Sequence, residues 1–159
     1  MSSWAVIPAK SPAEAKSRLA AALSPAGRAA LVRRLLAGTV SAALASPALA
    51  GAVVVSASAE LRALASTLGA HVCPDPPPAS GDPLNAAIVA GCRHATALGA
   101  TAVVVLPSDL PLLEPDVITE FLDEAGDAAV AVAPDRSGTG TNALLLRPPL
   151  ALPLSLIHI

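Results

Sequence analysis

Three cations lie close together near the start of the sequence and have the chemistry to hold a phosphorylated substrate. Lys10, Lys16 and Arg18 directly follow the apolar run Trp4–Pro8, and the two lysines are the only lysines of the chain. Mobile cations in one loop can screen the charges of a nucleoside triphosphate. The glycines of a Walker A loop are missing. We therefore predict a triphosphate-binding loop of another kind, with a solvated surface loop as the alternative.

A single aspartate, Asp109, follows the strongest strand signal of the chain and is flanked by Pro107 and Pro111. Proline restricts the backbone on both sides. A carboxylate at the end of a strand can bind Mg²⁺, which takes one or two carboxylates together with phosphate oxygens. We predict Asp109 as a magnesium ligand, with a turn-forming aspartate as the alternative. Glu114 and Asp116 are predicted instead as acids of the first turn of a helix.

A third candidate is the segment 134–142, which combines two glycines with several hydroxyl side chains. Such a loop can form a nest of backbone N–H groups around an anion. The same composition is common in long turns of every kind. Asp135, near the start of the segment, is a candidate site residue because it follows a predicted strand.

The elements that must position these residues alternate between apolar runs and helical segments. The predicted strands are 4–8, 51–56, 71–73, 101–106, 128–133 and 143–146, and the predicted helices are 25–44, 59–68, 84–98 and 114–125. This pattern predicts an α/β fold of three layers, a Rossmann-like, mostly parallel sheet covered on both faces. Ligands of such sheets bind beyond the carboxyl ends of the strands. We therefore expect Lys10, Asp109 and Asp135 at one edge of the sheet.

Length and composition indicate one globular domain, residues 1–159. Apolar residues make up 53% and charged residues 14% of the chain, which excludes a disordered protein. The net charge of −2 and the aromatic content of 1% argue against a nucleic-acid partner, which needs a basic surface or stacking rings. Cys73 and Cys92 lack the spacing of metal ligands and are predicted to be reduced.

One uncharged stretch, 35–59, is long enough to cross a bilayer. It consists mostly of Ala, Ser, Gly and Val and is interrupted by Pro47, so we predict a helix end, a loop and a strand instead. Lys10 interrupts the first apolar run, so no signal peptide is predicted. We expect a cytoplasmic protein without a membrane partner.

Taken in order, these segments resemble the 2-phospho-L-lactate or phosphoenolpyruvate guanylyltransferases of coenzyme F-420 biosynthesis. The resemblance covers residues 4–149 and is carried by the segments 7–10, 15–19, 84–85, 106–111 and 133–144. It implies a fold of the nucleotide-diphospho-sugar transferase type, which is glycosyltransferase-A-like. It also implies the reaction of GTP with phosphoenolpyruvate or 2-phospho-L-lactate, with release of diphosphate.

The resemblance also implies roles for individual residues. Lys10 and Asp109 match catalytic positions, and Asp109 matches the ligand of Mg²⁺. Thr141 matches a residue that contacts the phospho-acid. The nucleotide-binding positions that the resemblance implies are Lys10, Lys16, Arg18 and Asn85. Ser108 stands where the family more often has alanine.

The sequence departs from the family pattern after Pro148-Pro149, where the family continues into a Phe-Gly-x-x-Ser segment and a histidine. We therefore expect a single nucleotidyltransferase domain that lacks its C-terminal elements and has little transferase activity. Two alternatives stay open. One is a related nucleotidyltransferase for a pterin or a sugar phosphate, which the fold alone does not separate. The other is an inactive truncated fragment.

Overall fold

The strands of the sheet are built from Ala, Val and Leu, and the inner strands are buried on both faces. A computed structural model describes residues 1–13, 15, 19–77 and 81–150. Its elements, in chain order, are β1 (Ser3–Pro8), α1 (Pro25–Ala45), β2 (Gly51–Ser56), α2 (Ala59–Leu68), β3 (His71–Pro74), α3 (Pro83–Ala97), β4 (Ala102–Val105), α4 (Pro115–Ala125), β5 (Val130–Pro134) and β6 (Thr141–Leu146).

The six strands form one mixed sheet in the order β3-β2-β1-β4-β6-β5. β1 pairs in parallel with β2 and β4, and β2 pairs in parallel with β3. β6 is antiparallel to both of its neighbours, β4 and β5. The prediction of a mostly parallel sheet is thus confirmed, and one reversed strand is added to it. Because β6 is reversed, it begins at the edge where β1, β4 and β5 end.

Helices cover both faces, as the alternating pattern predicted. On one face, Leu36 of α1, Leu61 of α2 and Ile118 of α4 belong to a single buried cluster with the sheet. On the other face, Ile88 and Cys92 of α3 pack with the opposite side chains of the same strands. The sheet is therefore the middle of three layers.

Polar caps begin three of the helices. Ser24 Oγ accepts a hydrogen bond from the Gly27 N–H at 3.0 Å, in the position predicted for the start of α1. Ser58 caps α2 in the same way, accepting from the Leu61 N–H at 3.2 Å. At α3 the cap is Asp82, whose Oδ1 accepts from the Leu84 N–H at 2.9 Å. These bonds satisfy N–H groups that a helix start leaves unpaired.

The largest difference from the predicted elements lies in the second half of the sheet. β6 begins at Thr141, two residues before the predicted start, and β5 begins at Val130 instead of residue 128. The reason is the pairing of the two strands in a hairpin, which continues as far as Pro134 opposite Thr141. The polar turn is consequently shorter than predicted, and Thr141 belongs to a strand.

The uncharged stretch 35–59 divides as predicted into the end of α1, a turn and β2. Among the residues that the structure describes, no helix has both the length and the apolar character needed to cross a bilayer.

Candidate active site

A cleft of about 940 Å³ opens at the edge of the sheet where β1, β2 and β4 end. Helix α1 contributes Val32 and Leu35 to its wall, and α3 contributes the residues of its first turns. The polar and charged side chains that line the cleft include Lys10, Asp75, Ser108, Asp109, Asp135, Thr141 and Asn142. The cleft lies where an α/β sheet is expected to bind its ligand.

Lys10 reaches the cleft because the pairing of β1 with β2 continues one residue past the strand. The Ala9 N–H donates to the Val55 carbonyl at 2.9 Å, and Ala9 is buried. Lys10 is the first exposed residue after it. Lys16 and Arg18 lie outside the described residues, whereas Ala15 and Leu19, on either side of them, line the cleft.

Asp109 is held at the same edge by the end of β4. The Leu106 N–H donates to the Val6 carbonyl at 3.0 Å and continues the pairing with β1. Leu106 is buried, and the chain then turns outward through Pro107 and Ser108 to the exposed Asp109. Two central strands thus place a cation and a carboxylate, Lys10 and Asp109, in one cleft.

Thr141 enters the cleft from the opposite chain direction. It is the first residue of β6, paired with Pro134 of β5 across a register shift. Asn142 follows it and also lines the cleft. A parallel strand in this position would have placed its last residue at the edge instead of its first.

The turn between β5 and β6 is organised by Asp135. Its Oδ1 accepts a hydrogen bond from Ser137 Oγ at 2.8 Å and one from the Thr139 N–H at 3.1 Å. The bond from Ser137, together with backbone N–H groups led by that of Gly140, holds the pKa of the Asp135 carboxyl below its ordinary value. The N–H groups of Gly138 and Thr139 are thus used by Asp135. This differs from the anion nest suggested by the composition of the loop.

Asn85, a predicted nucleotide-binding residue, lies in the first turn of α3 beside the cleft. Its neighbours Pro83, Leu84 and Ala87 line the cleft, but Asn85 is not among the lining residues. Its Oδ1 is buried and has no hydrogen-bond partner among the described residues. The structure therefore brings Lys10, Asp109 and Thr141 together and leaves Asn85 adjacent to them.

Asp75 also lines the cleft and was not predicted as a site residue. It follows β3, and its N–H donates to the Ser56 carbonyl at 3.2 Å, which continues the pairing with β2. The signal in the sequence was its position directly after a strand, the same rule that selected Lys10 and Asp109. Its neighbours Pro74 and Pro76 are typical of an irregular loop and give no sign of a functional residue.

Among the described residues, no cluster of three or more His, Cys, Asp or Glu side chains could hold a metal ion. This donor set does not fit a metal bound by the protein alone. It does fit Mg²⁺ bound together with a substrate, because Mg²⁺ commonly takes one or two carboxylates and completes its shell with phosphate oxygens and water. Asp109 supplies such a carboxylate at the cleft.

Solved structures with the same architecture are nucleotide-handling enzymes. A protein of Desulfovibrio desulfuricans G20 described as a nucleotide-diphospho-sugar transferase has a TM-score of 0.71 at 20% identity, over 96% of this chain and 66% of that chain. A nucleotidyl transferase from Methanothermobacter has a TM-score of 0.61 at 17% identity, and the match covers 94% of this chain and 73% of that transferase. These similarities establish the fold predicted from the sequence.

Residues 3–156 match the sequence model of a family described as guanylyl transferase CofC like. The chain belongs to the CofC-like guanylyl transferase family. A phosphoenolpyruvate guanylyltransferase of Rubrobacter xylanophilus is 45% identical over 161 residues, which cover 98% of this chain and 74% of the relative. That of Nocardia farcinica is 42% identical over 144 residues, which cover 90% of this chain and 64% of the relative. The family resemblance and the nucleotidyltransferase class predicted from the sequence are confirmed.

The CofC-like relatives are longer than this chain, which spans 50% to 74% of their lengths in the first three matches. Their names support the guanylyl-transferring interpretation over the pterin or sugar-phosphate alternative. The C-terminal segment 151–159, which was expected to depart from the family pattern, lies outside the described residues, and the match to the family model extends to residue 156.

Proposed function

We propose that this chain transfers the guanylyl group of GTP to the phosphate of phosphoenolpyruvate, with release of diphosphate, as a step of coenzyme F-420 biosynthesis. The observation that carries the proposal is the meeting of Lys10, Asp109 and Thr141 in one cleft. Three separate strands deliver them, and the sequence resemblance implies a role for each of the three. The relatives named above are called phosphoenolpyruvate guanylyltransferases, which favours this acid over 2-phospho-L-lactate.

In the proposed reaction a phosphate oxygen of the acid attacks the α-phosphorus of GTP. A new P–O–P bond forms to the acid, and the bond from the α-phosphorus to the diphosphate breaks. Both reactants are anions, so most of the catalysis consists of bringing them together in line and balancing their charge. We assign charge balance on the triphosphate to Lys10 and the phosphate of the acid to the Thr141 hydroxyl.

We assign Asp109 as the carboxylate that holds a divalent cation, Mg²⁺, with the phosphates. When bound, such an ion neutralises the developing charge on the phosphate oxygens. The exposed position of Asp109 at the cleft leaves it accessible to a metal that arrives with GTP. We further assign Lys16, Arg18 and Asn85 to nucleotide binding. The sequence predicts Lys16 and Arg18 in one loop with Lys10, and Asn85 lies beside the cleft on α3.

The test is diphosphate release by the 159-residue chain, with Mg²⁺ and every pairing of GTP, ATP or CTP with phosphoenolpyruvate or 2-phospho-L-lactate. The Rubrobacter xylanophilus relative serves as the positive control. We expect release with GTP and phosphoenolpyruvate above all other pairings, instead of the little activity expected from the C-terminal segment, because the match to the family model extends to residue 156. Release that prefers 2-phospho-L-lactate would change the acceptor, and release with another nucleotide would change the donor. An active control beside an inactive chain would overturn the proposal.

A further inference from the structure

We propose that Asp135 is a positioning residue that fixes the start of β6 and thereby sets the binding of the phospho-acid but not of the nucleotide. The inference deepens the proposed function, and the part concerning substrates rests on it. Asp135 acts through its neighbours: it organises the turn 135–140 that delivers Thr141 and Asn142 to the cleft.

Hydrogen bonds from both the side chain and the backbone of Asp135 close this turn. Oδ1 accepts from Ser137 Oγ at 2.8 Å and from the Thr139 N–H at 3.1 Å. The Asp135 N–H donates to the Gly140 carbonyl at 2.9 Å, and the Asp135 carbonyl accepts from the Gly138 N–H at 3.1 Å. Ser137 Oγ also lies 2.7 Å from Thr139 Oγ1. Asp135 therefore forms hydrogen bonds with four of the five other residues of the turn, Ser137, Gly138, Thr139 and Gly140.

The second carboxylate oxygen of Asp135 lies against Gly140. A Cβ added at Gly140 would lie 2.7 Å from Oδ2 and 3.3 Å from Cγ, so a side chain at this position would force the carboxylate to move. The carboxylate thus occupies the space beside the residue that immediately precedes Thr141. Oδ1 is held by hydrogen bonds within the turn, and Oδ2 fills the space that a side chain at residue 140 would need. We infer that the carboxylate and the start of β6 hold each other in place.

The irregular pairing of β5 with β6 explains why the start of β6 needs a further contact to position it. The register is regular up to Ala133 opposite Ala143, and it then shifts so that Pro134 lies opposite Thr141. At this shift the ladder is irregular, and we infer that the direction of Thr141 and Asn142 depends also on the turn. An irregularity of this type redirects side chains at the edge of a sheet.

The turn and the residues assigned to the nucleotide lie on different elements around the cleft. Lys10 follows β1, and the cleft-lining residues of α3 follow β3 in the chain, so neither belongs to the hairpin. Disturbing the turn should therefore leave GTP binding nearly intact. Displacing a substrate contact by about 1 Å can lower the rate about 100-fold.

The decisive variants are Asp135→Ala, Asp135→Asn and Gly140→Ala. Asp135→Ala removes the carboxylate, and Asp135→Asn keeps an acceptor oxygen at the Oδ1 position. Gly140→Ala leaves Asp135 unchanged but adds a methyl group that displaces its carboxylate. The control is Asp127→Asn, which removes the same charge from an exposed position in the turn before β5. Circular dichroism and the melting temperature establish that each variant is folded.

For Asp135→Ala and Gly140→Ala we expect kcat/KM for phosphoenolpyruvate to fall by about 10-fold to 100-fold while the KM for GTP stays within about 2-fold. Asp135→Asn should recover most of the loss, and Asp127→Asn should match the unchanged chain. Equal losses toward both substrates, or no loss in either Asp135→Ala or Gly140→Ala, would overturn the assignment.

A second measurement tests the positioning without turnover. In Asp135→Ala, the backbone amide resonances of Thr141 and Asn142 should shift and those around Lys10 should not. If the two resonances of β6 stay in place, Asp135 does not position the strand, whatever the kinetics. If they shift but the unchanged chain releases no diphosphate from GTP and phosphoenolpyruvate, the positioning role stands and the proposed function fails.

Discussion

Gly91 of α3 lies directly against Val6 of β1, with no space between them for a further carbon atom. A Cβ at Gly91 would overlap Val6 Cγ1 and would lie 2.9 Å from Val55 Cγ2 of the neighbouring strand. The backbone of α3 therefore packs directly against the valine side chains of the sheet. This close approach holds the first turns of α3, with Leu84 and Ala87, at the wall of the cleft.

We expect Gly91→Ala to lower the free energy of unfolding by about 1 to 3 kcal/mol, because an added methyl group in a packed core forces the backbone apart. Gly38→Ala is the matched control. Gly38 is also inside a helix, α1, but nothing lies within 4 Å of its added Cβ, so the change should stabilise by about 1 kcal/mol. Urea denaturation of both variants measures the two free energies. Effects of the same sign would contradict the packing described for α3.

Most of the fold could be predicted from the sequence because each element carried its own local signal. Ser24-Pro25 marked the start of α1, and unbroken apolar runs marked β1, β2 and β4. The direction of β6 could not be predicted in the same way. Its residues are as apolar as those of a parallel strand. Its reversal follows from its pairing with β5, which precedes it in the chain, and with β4, which is separated from it by α4 and β5.

Some residues of the candidate site could likewise be predicted from the sequence, and others could not. Lys10 and Asp109 could be found from the sequence because a parallel sheet gathers residues that follow its strands. Asp75 obeys this rule and was obscured by the prolines beside it. The role of Asp135 could not be predicted, because it depends on hydrogen bonds from Ser137 and Thr139 that the residue types alone do not indicate.

Lys10→Ala should weaken the reaction with GTP far more than it weakens the fold. Lys10 is exposed at the cleft, so its loss should change the free energy of unfolding by less than about 0.5 kcal/mol. We expect kcat/KM for GTP to fall by about 10-fold or more, because a charge-assisted contact to phosphate is lost. Steady-state kinetics and a thermal melt test both parts. Arg34→Ala, an exposed cation of α1 outside the cleft lining, is the control and should leave the kinetics unchanged.

Asp109→Asn should remove most metal-dependent turnover and leave the structure intact. The amide keeps the shape of the side chain but loses the charge that a hard cation prefers. We expect kcat to fall by about 100-fold to 1000-fold, the size of effect seen when one stabilising group is removed at a site of developing charge. The measurement is diphosphate release as a function of Mg²⁺ concentration. Asp116→Asn, an exposed acid in the first turn of α4, is the matched control. Near-normal turnover by Asp109→Asn would make Asp109 a turn residue only.

Because the thiol of Cys92 is buried, we expect the free energy of unfolding to fall in alkaline solution. Burial raises the pKa of its thiol from 9.0 to about 12, so the folded protein resists forming the thiolate while the unfolded chain does not. The contribution of the neutral thiol is complete below pH 9 and is lost as the pH rises from 9 toward 12, by about 1.4 kcal/mol per pH unit. Urea denaturation between pH 8 and about pH 10.5 measures it. Cys92→Ala should be less stable at pH 8 and should show a shallower decline, and parallel declines would refute the assignment.

The reversal of β6 has a consequence for how such an enzyme can change its acceptor. A turn between antiparallel strands can gain, lose or exchange residues while both strands keep their pairing, as in any hairpin. Here that turn, 135–140, stands at the rim of the cleft, and the pairing of β6 with β4 anchors it from behind. In the proposed reaction the turn is therefore a place where residues that face the second substrate can change while β5 and β6 keep their pairing.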